Sequence, residues 1–410
     1  MTQGNLLRQI LEYGNRPNPY PLYAELRKTP VLDEGDGAYV VSTYWEILSL
    51  LHDPRVSSDP HNLTVTGGPG FDPQDDSGLP PSFIRLDPPE HDRLRRMTNT
   101  SFGPPHKPRR VHEMRGELEE IVSGLIEGIG NTDRIDLVEQ FSYPFPVTVI
   151  CRLLGVPRED ESRFHTWADT LAASLDPMPG QDQTERNKIT QQARTELGMY
   201  LAGLIEERRK NPGDDMLSEL ATLQGPDGSM STMELLSTSA LLLIAGHETT
   251  VNLITNGMLT LLRNPDQLQR LREDPKLAVP IVEELLRFEP PVQLLPNRTT
   301  LADIEIAGVT IPKGASLWLV VAAGNRDPQR FTDPERFDPD REDIEHLGFG
   351  SGIHSCFGAP VARLEAQLAL SELARRLVNP RLLEDPPEYR QNAVLRGPRH
   401  LPIACDDIRP

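Results

Sequence analysis

The sequence predicts a mainly α fold with small β-sheets, of the α+β class, and three observations carry that prediction. From Glu90 to Gly225 the apolar residues recur at helical spacing between Pro and Gly punctuation, as in Val111–Ile129 and Ile189–Lys210. Ser231 to Arg263 then runs without a proline, opens on a Ser-Thr-Met-Glu capping signature and has an apolar centre, so it reads as one long buried helix. Strand-like alternation is confined to short stretches, chiefly Asp303–Leu319.

Taken in order, Pro21–Lys28 has helical spacing, Tyr39–Ser42 is a short β-prone run and Trp45–Leu51 is apolar-periodic again. Residues 62–81 are rich in Gly and Pro and read as a long surface loop, so a substrate lid is expected at about 60–85. Ala307-Gly308 marks a turn inside the strand-rich patch. Asp327–Asp343 is Pro- and Asp-rich and reads as irregular, and a last helix is expected from about Pro360 to Val378. No repeat or separating linker stands out, so residues 1–410 read as a single domain, although roughly 150 residues per domain would allow two or three.

Composition narrows the function. Hydrophobic residues make up 37% and charged residues 25%, as in a folded globular chain rather than a repetitive or disordered one. With 42 Lys+Arg against 61 Asp+Glu the net charge is −19, which disfavours generic binding to nucleic acid or anionic membrane. The start of the chain has no secretory pattern and its longest apolar runs, Ala240–Ala245 and Leu317–Ala323, fall far short of the about 20 residues that cross a bilayer. A cytoplasmic protein is expected. Three cysteines, Cys151, Cys356 and Cys405, are too few and too odd in number for a disulfide framework.

Cys356 is the informative one. It sits in Phe349-Gly350-Ser351-Gly352-Ile353-His354-Ser355-Cys356-Phe357-Gly358, directly before a helical run. The glycines permit tight turns and close approach of a flat ligand, and a following helix N-terminus favours a thiolate. Cys151 and Cys405 read as structural thiols.

The pattern Phe349-x-x-Gly352-x-x-x-Cys356-x-Gly358 resembles the haem-binding loop of the cytochrome P450 family. In the same chain order, Glu284-Leu285-Leu286-Arg287 is similar to the family's Glu-x-x-Arg, and Pro334-Glu335-Arg336-Phe337 to the motif whose Arg completes a buried Glu-Arg-Arg network. On the long helix, Ala245-Gly246-His247-Glu248-Thr249-Thr250 matches the family's oxygen-binding groove. Gly246 lets a neighbour pack close, and Thr249 can bond back to a carbonyl one turn earlier and open the helix locally. Competing motifs fail: position 251 is Val, which breaks a His-Glu-x-x-His zinc site, no Gly-x-Ser-x-Gly is present, and Gly348-x-Gly350-x-x-Ile353 breaks a dinucleotide fingerprint.

The resemblance spans the chain from His91 onward and implies a P450 fold: a triangular helix-rich prism with a long central helix at about 231–263 and haem between that helix and the loop 349–358. It implies haem b, iron protoporphyrin IX, with Cys356 as the metal ligand and Phe349, Gly350 and Gly358 beside it, and His91, Arg95, Arg298 and His354 around the propionates. Glu248 and Thr249 would be the acid–alcohol pair that supplies protons during dioxygen activation. Glu284, Arg287 and Arg336 would form the buried network. The pocket would draw on Leu241, Ala245, Val292, Leu294, Val394 and Leu395 with the loop Asn62–Phe83, suiting an apolar polyketide macrolide, terpenoid, steroid or fatty acid, free or carrier-bound.

The implied activity is that of a monooxygenase, hydroxylating or epoxidising such a molecule. Electrons would come from NAD(P)H through a ferredoxin reductase and a ferredoxin, docked on basic residues such as Arg96, Arg109, Arg110 and Arg363, with the protein a monomer. Phenol coupling, desaturation, peroxide or nitric oxide chemistry, and a haem sensor are the alternatives.

Overall fold

The long apolar run Leu317–Ala323 explains the position of the main sheet, because a strand buried on both faces needs apolar residues at every position. The structure is a computed structural model that describes residues 6–62, 81–102, 110–130, 132–174 and 183–410. Strands are β1 (Val31–Gly35), β2 (Ala38–Val41), β3 (Val56–Ser57), β4 (Arg134–Asp136), β5 (Leu295–Thr300), β6 (Ile304–Ile306), β7 (Val309–Ile311), β8 (Ser316–Leu319), β9 (Leu377–Val378), β10 (Arg381–Leu382), β11 (Pro402–Ala404) and β12 (Asp407–Ile408). Helices are α1 (Leu6–Leu11), α2 (Tyr20–Leu26), α3 (Tyr44–His52), α4 (Glu90–Phe102), α5 (Arg110–Glu113), α6 (Arg115–Ile129), α7 (Pro144–Leu154), α8 (Glu161–Ser174), α9 (Gln183–Lys210), α10 (Met216–Thr222), α11 (Thr232–Arg263), α12 (Pro265–Glu273), α13 (Ala278–Phe288), α14 (Val321–Gly324) and α15 (Ala359–Arg376).

These elements gather into two units, one from residues 1–73, 122–142 and 249–410 and one from 74–121 and 143–248, as far as they are described. Two of the four unit boundaries fall inside α6 and α11, where the chain passes from one unit to the other within a helix. The first unit holds the five-stranded sheet in the order β1-β2-β8-β5-β3, with β2 parallel to β8 and Tyr39 opposite Leu317. Alternation sends Tyr39, Val41, Leu317 and Leu319 into one core and Val40, Trp318 and Val320 into another. Ala307 and Gly308, both at positive φ, close the β6–β7 hairpin where a turn is expected.

In the same unit, α11, α13 and α15 meet at Gly257. A Cβ there would lie 2.9 Å from Leu285 and 3.0 Å from Leu370, so the glycine sets how closely α13 and α15 pack on α11. The N-terminus of α11 is capped as its sequence predicts: the Ser231 amide donates to the Glu234 carboxylate at 2.7 Å, and the Glu234 amide to the Ser231 hydroxyl at 3.2 Å. The helix then runs as one element through Ala245–Thr250. Most of the expected lid, residues 63–80, lies outside the described residues.

Candidate functional site

Cys356 is exposed and the loop around it is built on glycine. Its amide donates to the Phe349 carbonyl at 2.9 Å, closing the loop, and Gly350 and Gly352 turn at φ of 64° and 67°. At Gly352 a Cβ would stand 2.1 Å from the Leu51 carbonyl oxygen, which admits only glycine. At Gly358, which caps α15, a Cβ would meet nothing within 4 Å. An exposed soft donor just before a helix N-terminus, in a loop built on glycine, fits a ligand to a haem iron.

Helix α13 grips this loop from both sides. Glu283 accepts from Arg363, seven residues after the cysteine, at 2.7 and 2.9 Å, and pairs with His346, before the loop, at 3.2 Å. The Arg363 guanidinium also covers the Phe349 ring at 4.6 Å. Burial opposes ionisation of Glu283, but hydrogen bonds and charge from His346 and Arg363 outweigh it and pull the carboxyl down to about 2. Sequence reasoning did not single out Glu283 or His346, because ion pairs between residues 63 and 80 positions apart have no local signature.

Glu284, the next residue, is fully buried. Arg287 meets it with two bonds of 2.7 Å, Arg341 Nε donates at 3.1 Å and the Asp338 amide at 2.8 Å. Arg287 also donates to the carbonyls of Asn325, Pro334 and Arg336. The expected third member, Arg336, is corrected here: its side chain is 65% exposed and pairs with Asp333 and Asp338, and only its backbone carbonyl enters the network. The path of the irregular stretch turns Arg341 inward instead, at 9% exposure. Asn325 carries the brace forward, accepting from the Leu347 amide at 2.7 Å just before the loop.

Of the residues expected around the propionates, Arg298 on β5 and His354 in the single helical turn Gly352–His354 belong to this unit, both half-buried. His91 and Arg95 belong to the other, one turn apart on α4, where the buried His91 contacts Asp92 at 2.8 Å and Arg95 lies over the Phe83 ring. On the same unit's part of α11, Leu241 is half-buried and Ala245 is exposed one turn later. Gly246 accommodates Ile150 of α7, and the buried His247 ring meets Tyr143 edge-on at 4.5 Å. Glu248 is buried and Thr249 half-buried.

The expected pocket set divides. Val292 and Leu395 are half-buried partners in an isolated antiparallel bridge. Leu294 is corrected: it is fully buried in the core formed by α1, α2 and β8, with Val394 packed against that same core, whereas Val292 and Leu295 pack against the other core of this unit. The basic residues expected for docking have partners within the protein. Arg96 pairs with Asp227, Arg110 with Glu219 and Arg363 with Glu283, while Arg109 lies outside the described residues. Cys151 is buried in α7 with its thiol pushed up to about 12 by burial.

The profile of the family described as "Cytochrome P450" matches residues 69–400. The chain is 40% identical over 399 residues to the cytochrome P450 monooxygenase PikC of Streptomyces venezuelae, covering 94% of this chain and 91% of that one. It is 39% identical to the vitamin D(3) 25-hydroxylase of Pseudonocardia autotrophica, covering 94% and 93%. Among solved structures, ligand-free CYP164A2 of Mycobacterium smegmatis superposes with a TM-score of 0.87 at 40% identity, covering 98% of this chain and all of the other.

Proposed function

The chain belongs to the cytochrome P450 family and is a haem-dependent monooxygenase, and we propose that it inserts one atom of dioxygen into a C–H bond or alkene of a mid-sized apolar molecule. The observation that carries this reading is the exposed Cys356 sulfur in its glycine-built loop at the start of α15. Bound haem b, with a thiolate on its iron, supplies the activation of dioxygen once electrons and protons arrive. The protein holds that group and governs access to it. Cys356 would ligate the iron, Phe349, Gly350 and Gly358 would leave room for the ring, and His91, Arg95, Arg298 and His354 would neutralise the propionates.

Glu248 serves as the acid and Thr249 as the alcohol through which protons are delivered. Leu241, Ala245, Val292 and Leu395 offer the substrate apolar surface, which suits a skeleton of the polyketide, terpenoid, steroid or fatty-acid kind; a relative at 39% identity is named for hydroxylation of vitamin D(3). Electrons come from NAD(P)H through a ferredoxin reductase and a ferredoxin. Among the described residues no helix is long and apolar enough to cross a membrane, in keeping with work in the cytosol on substrates that reach it there.

The test is the spectrum of the reduced protein with carbon monoxide. The red-shifted Soret band diagnostic of a thiolate ligand is expected, and Cys356→Ser should abolish it; the same band in that variant would end the assignment. With surrogate redox partners, product mass should rise by one oxygen, and Thr249→Ala should consume reductant without matching product. Unchanged coupling in that variant would remove Thr249 from proton delivery.

A further inference from the structure

We infer that Arg396 and Glu289 are positioning residues that set where Leu395 and Val292 meet a bound substrate, an inference that rests on the function proposed above. Arg396 directly follows Leu395 and is 1% exposed. Its guanidinium donates to Glu289, to the carbonyls of Arg16 at 2.8 Å and Pro17 at 2.9 Å, and to the Tyr389 hydroxyl at 3.3 Å. Glu289 in turn accepts from the Tyr20 hydroxyl at 3.0 Å and from Arg326, whose guanidinium lies 3.3 Å from the Tyr20 ring centroid.

The main chain links this cluster to the Val292–Leu395 bridge. The Arg396 amide donates to the Pro291 carbonyl at 2.8 Å and the Gln293 amide to the Val394 carbonyl at 2.8 Å, one bond on each side of the bridge. Gln293 is held by the Tyr23 hydroxyl at 3.0 Å, and the Asn392 carboxamide accepts from the amides of Val394 and Leu395. Two short segments without a regular sheet around them are thus fixed by buried charge anchored in the N-terminal region. A planar five-donor fork matches these fixed acceptors; an ammonium at the same place cannot. Its loss would shift the backbone of residue 395, and with it the apolar side chain that precedes the arginine.

The test uses the full, haem-loaded chain and two azole probes read by the Soret shift: imidazole, small enough to need little beyond the iron, and econazole, which needs the pocket walls. Arg396→Lys should weaken econazole at least about tenfold, the scale of one misfitted group in an apolar pocket. Imidazole binding and the carbon monoxide band should stay as in wild type. Tyr20→Phe, which removes one hydroxyl contact to Glu289, should move econazole in the same direction by about two- to threefold, and it carries the test if Arg396→Lys does not accumulate with haem. Equal econazole affinity in the variant that folds, or parallel loss of both azoles, would overturn the inference and leave the cluster as scaffold. A wild type without any carbon monoxide band would instead sink the haem reading.

Discussion

Two clusters of one glutamate and two arginines flank the C-terminal end of α13, and they differ in what they tie together. Glu284, Arg287 and Arg341 are 0%, 0% and 9% exposed, and the carbonyls that Arg287 takes come from Asn325, Pro334 and Arg336, all on the stretch that leads into the cysteine loop. Glu289, Arg326 and Arg396 are 13%, 5% and 1% exposed, but Arg396 reaches the carbonyls of Arg16 and Pro17, some 380 positions away. The same chemistry therefore braces a local meander in one place and a long-range closure in the other. Both are tolerated in the interior because the charged donors meet carboxylates and carbonyls; a partner removed from either leaves charge buried with less compensation.

The sharpest way to break the contrast is a graded series on the first cluster. Arg287→Ala removes both bonds of the bidentate pair and leaves buried Glu284 with only Arg341 and the Asp338 amide, and should cost about 3–5 kcal/mol with loss of haem retention. Arg341→Ala leaves the bidentate pair in place and should cost less, about 1–3 kcal/mol for one charge-assisted hydrogen bond and its carbonyl contacts. Arg336→Ala removes an exposed ion pair and should stay within about 1 kcal/mol. Urea midpoints and the carbon monoxide band, measured together, give the order; Arg336→Ala as damaging as Arg341→Ala would restore the reading made from the sequence.

That reading shows where sequence is informative. The cysteine loop, the capping box at Ser231, the Ala307-Gly308 turn and the long helix are written in contiguous residues whose spacing has one physical meaning. The second arginine of the network is not, since Arg330, Arg336 and Arg341 all lie on an irregular stretch and only its path decides which turns inward. Leu294 was misplaced for a similar reason: with neither a helix nor a clean strand around it, no period was available to give its face. The Glu289–Arg396 closure joins residues from both ends of the chain and had no local trace at all.

Glu283 sharpens the comparison through pH. Its carboxyl lies at about 2 against an ordinary 4.5, so the folded state binds its proton more weakly than the unfolded state. The stability it lends is full above pH 4.5 and disappears as pH falls towards 2. Glu283→Gln should therefore flatten the acid limb of a stability profile in that window, with the haem band lost at a higher pH than in wild type if the grip on His346 and Arg363 holds the loop. An unchanged acid limb would mean that the pair is spectator to folding.

The smallest expected effect is the most discriminating between kinds of buried carboxyl. Glu365, on α15 and 1% exposed, is buried like Glu284, yet its Oε2 has no hydrogen-bond partner among the described residues, and burial raises its pKa well above 4.5. A group that holds its proton more tightly when folded gives stability at low pH that is lost as pH rises through the ordinary range and beyond. Glu365→Gln replaces a neutral acid by a neutral amide of the same shape, so no loss of stability is expected near pH 5, and the decline towards alkaline pH should become shallower. Glu284→Gln should destabilise the protein, because there the negative charge is what the two arginines meet. If Glu365→Gln instead destabilised the protein as Glu284→Gln does, its carboxylate would have to be charged and matched, and the distinction between a ligated and an unligated buried carboxyl would fail on this helix.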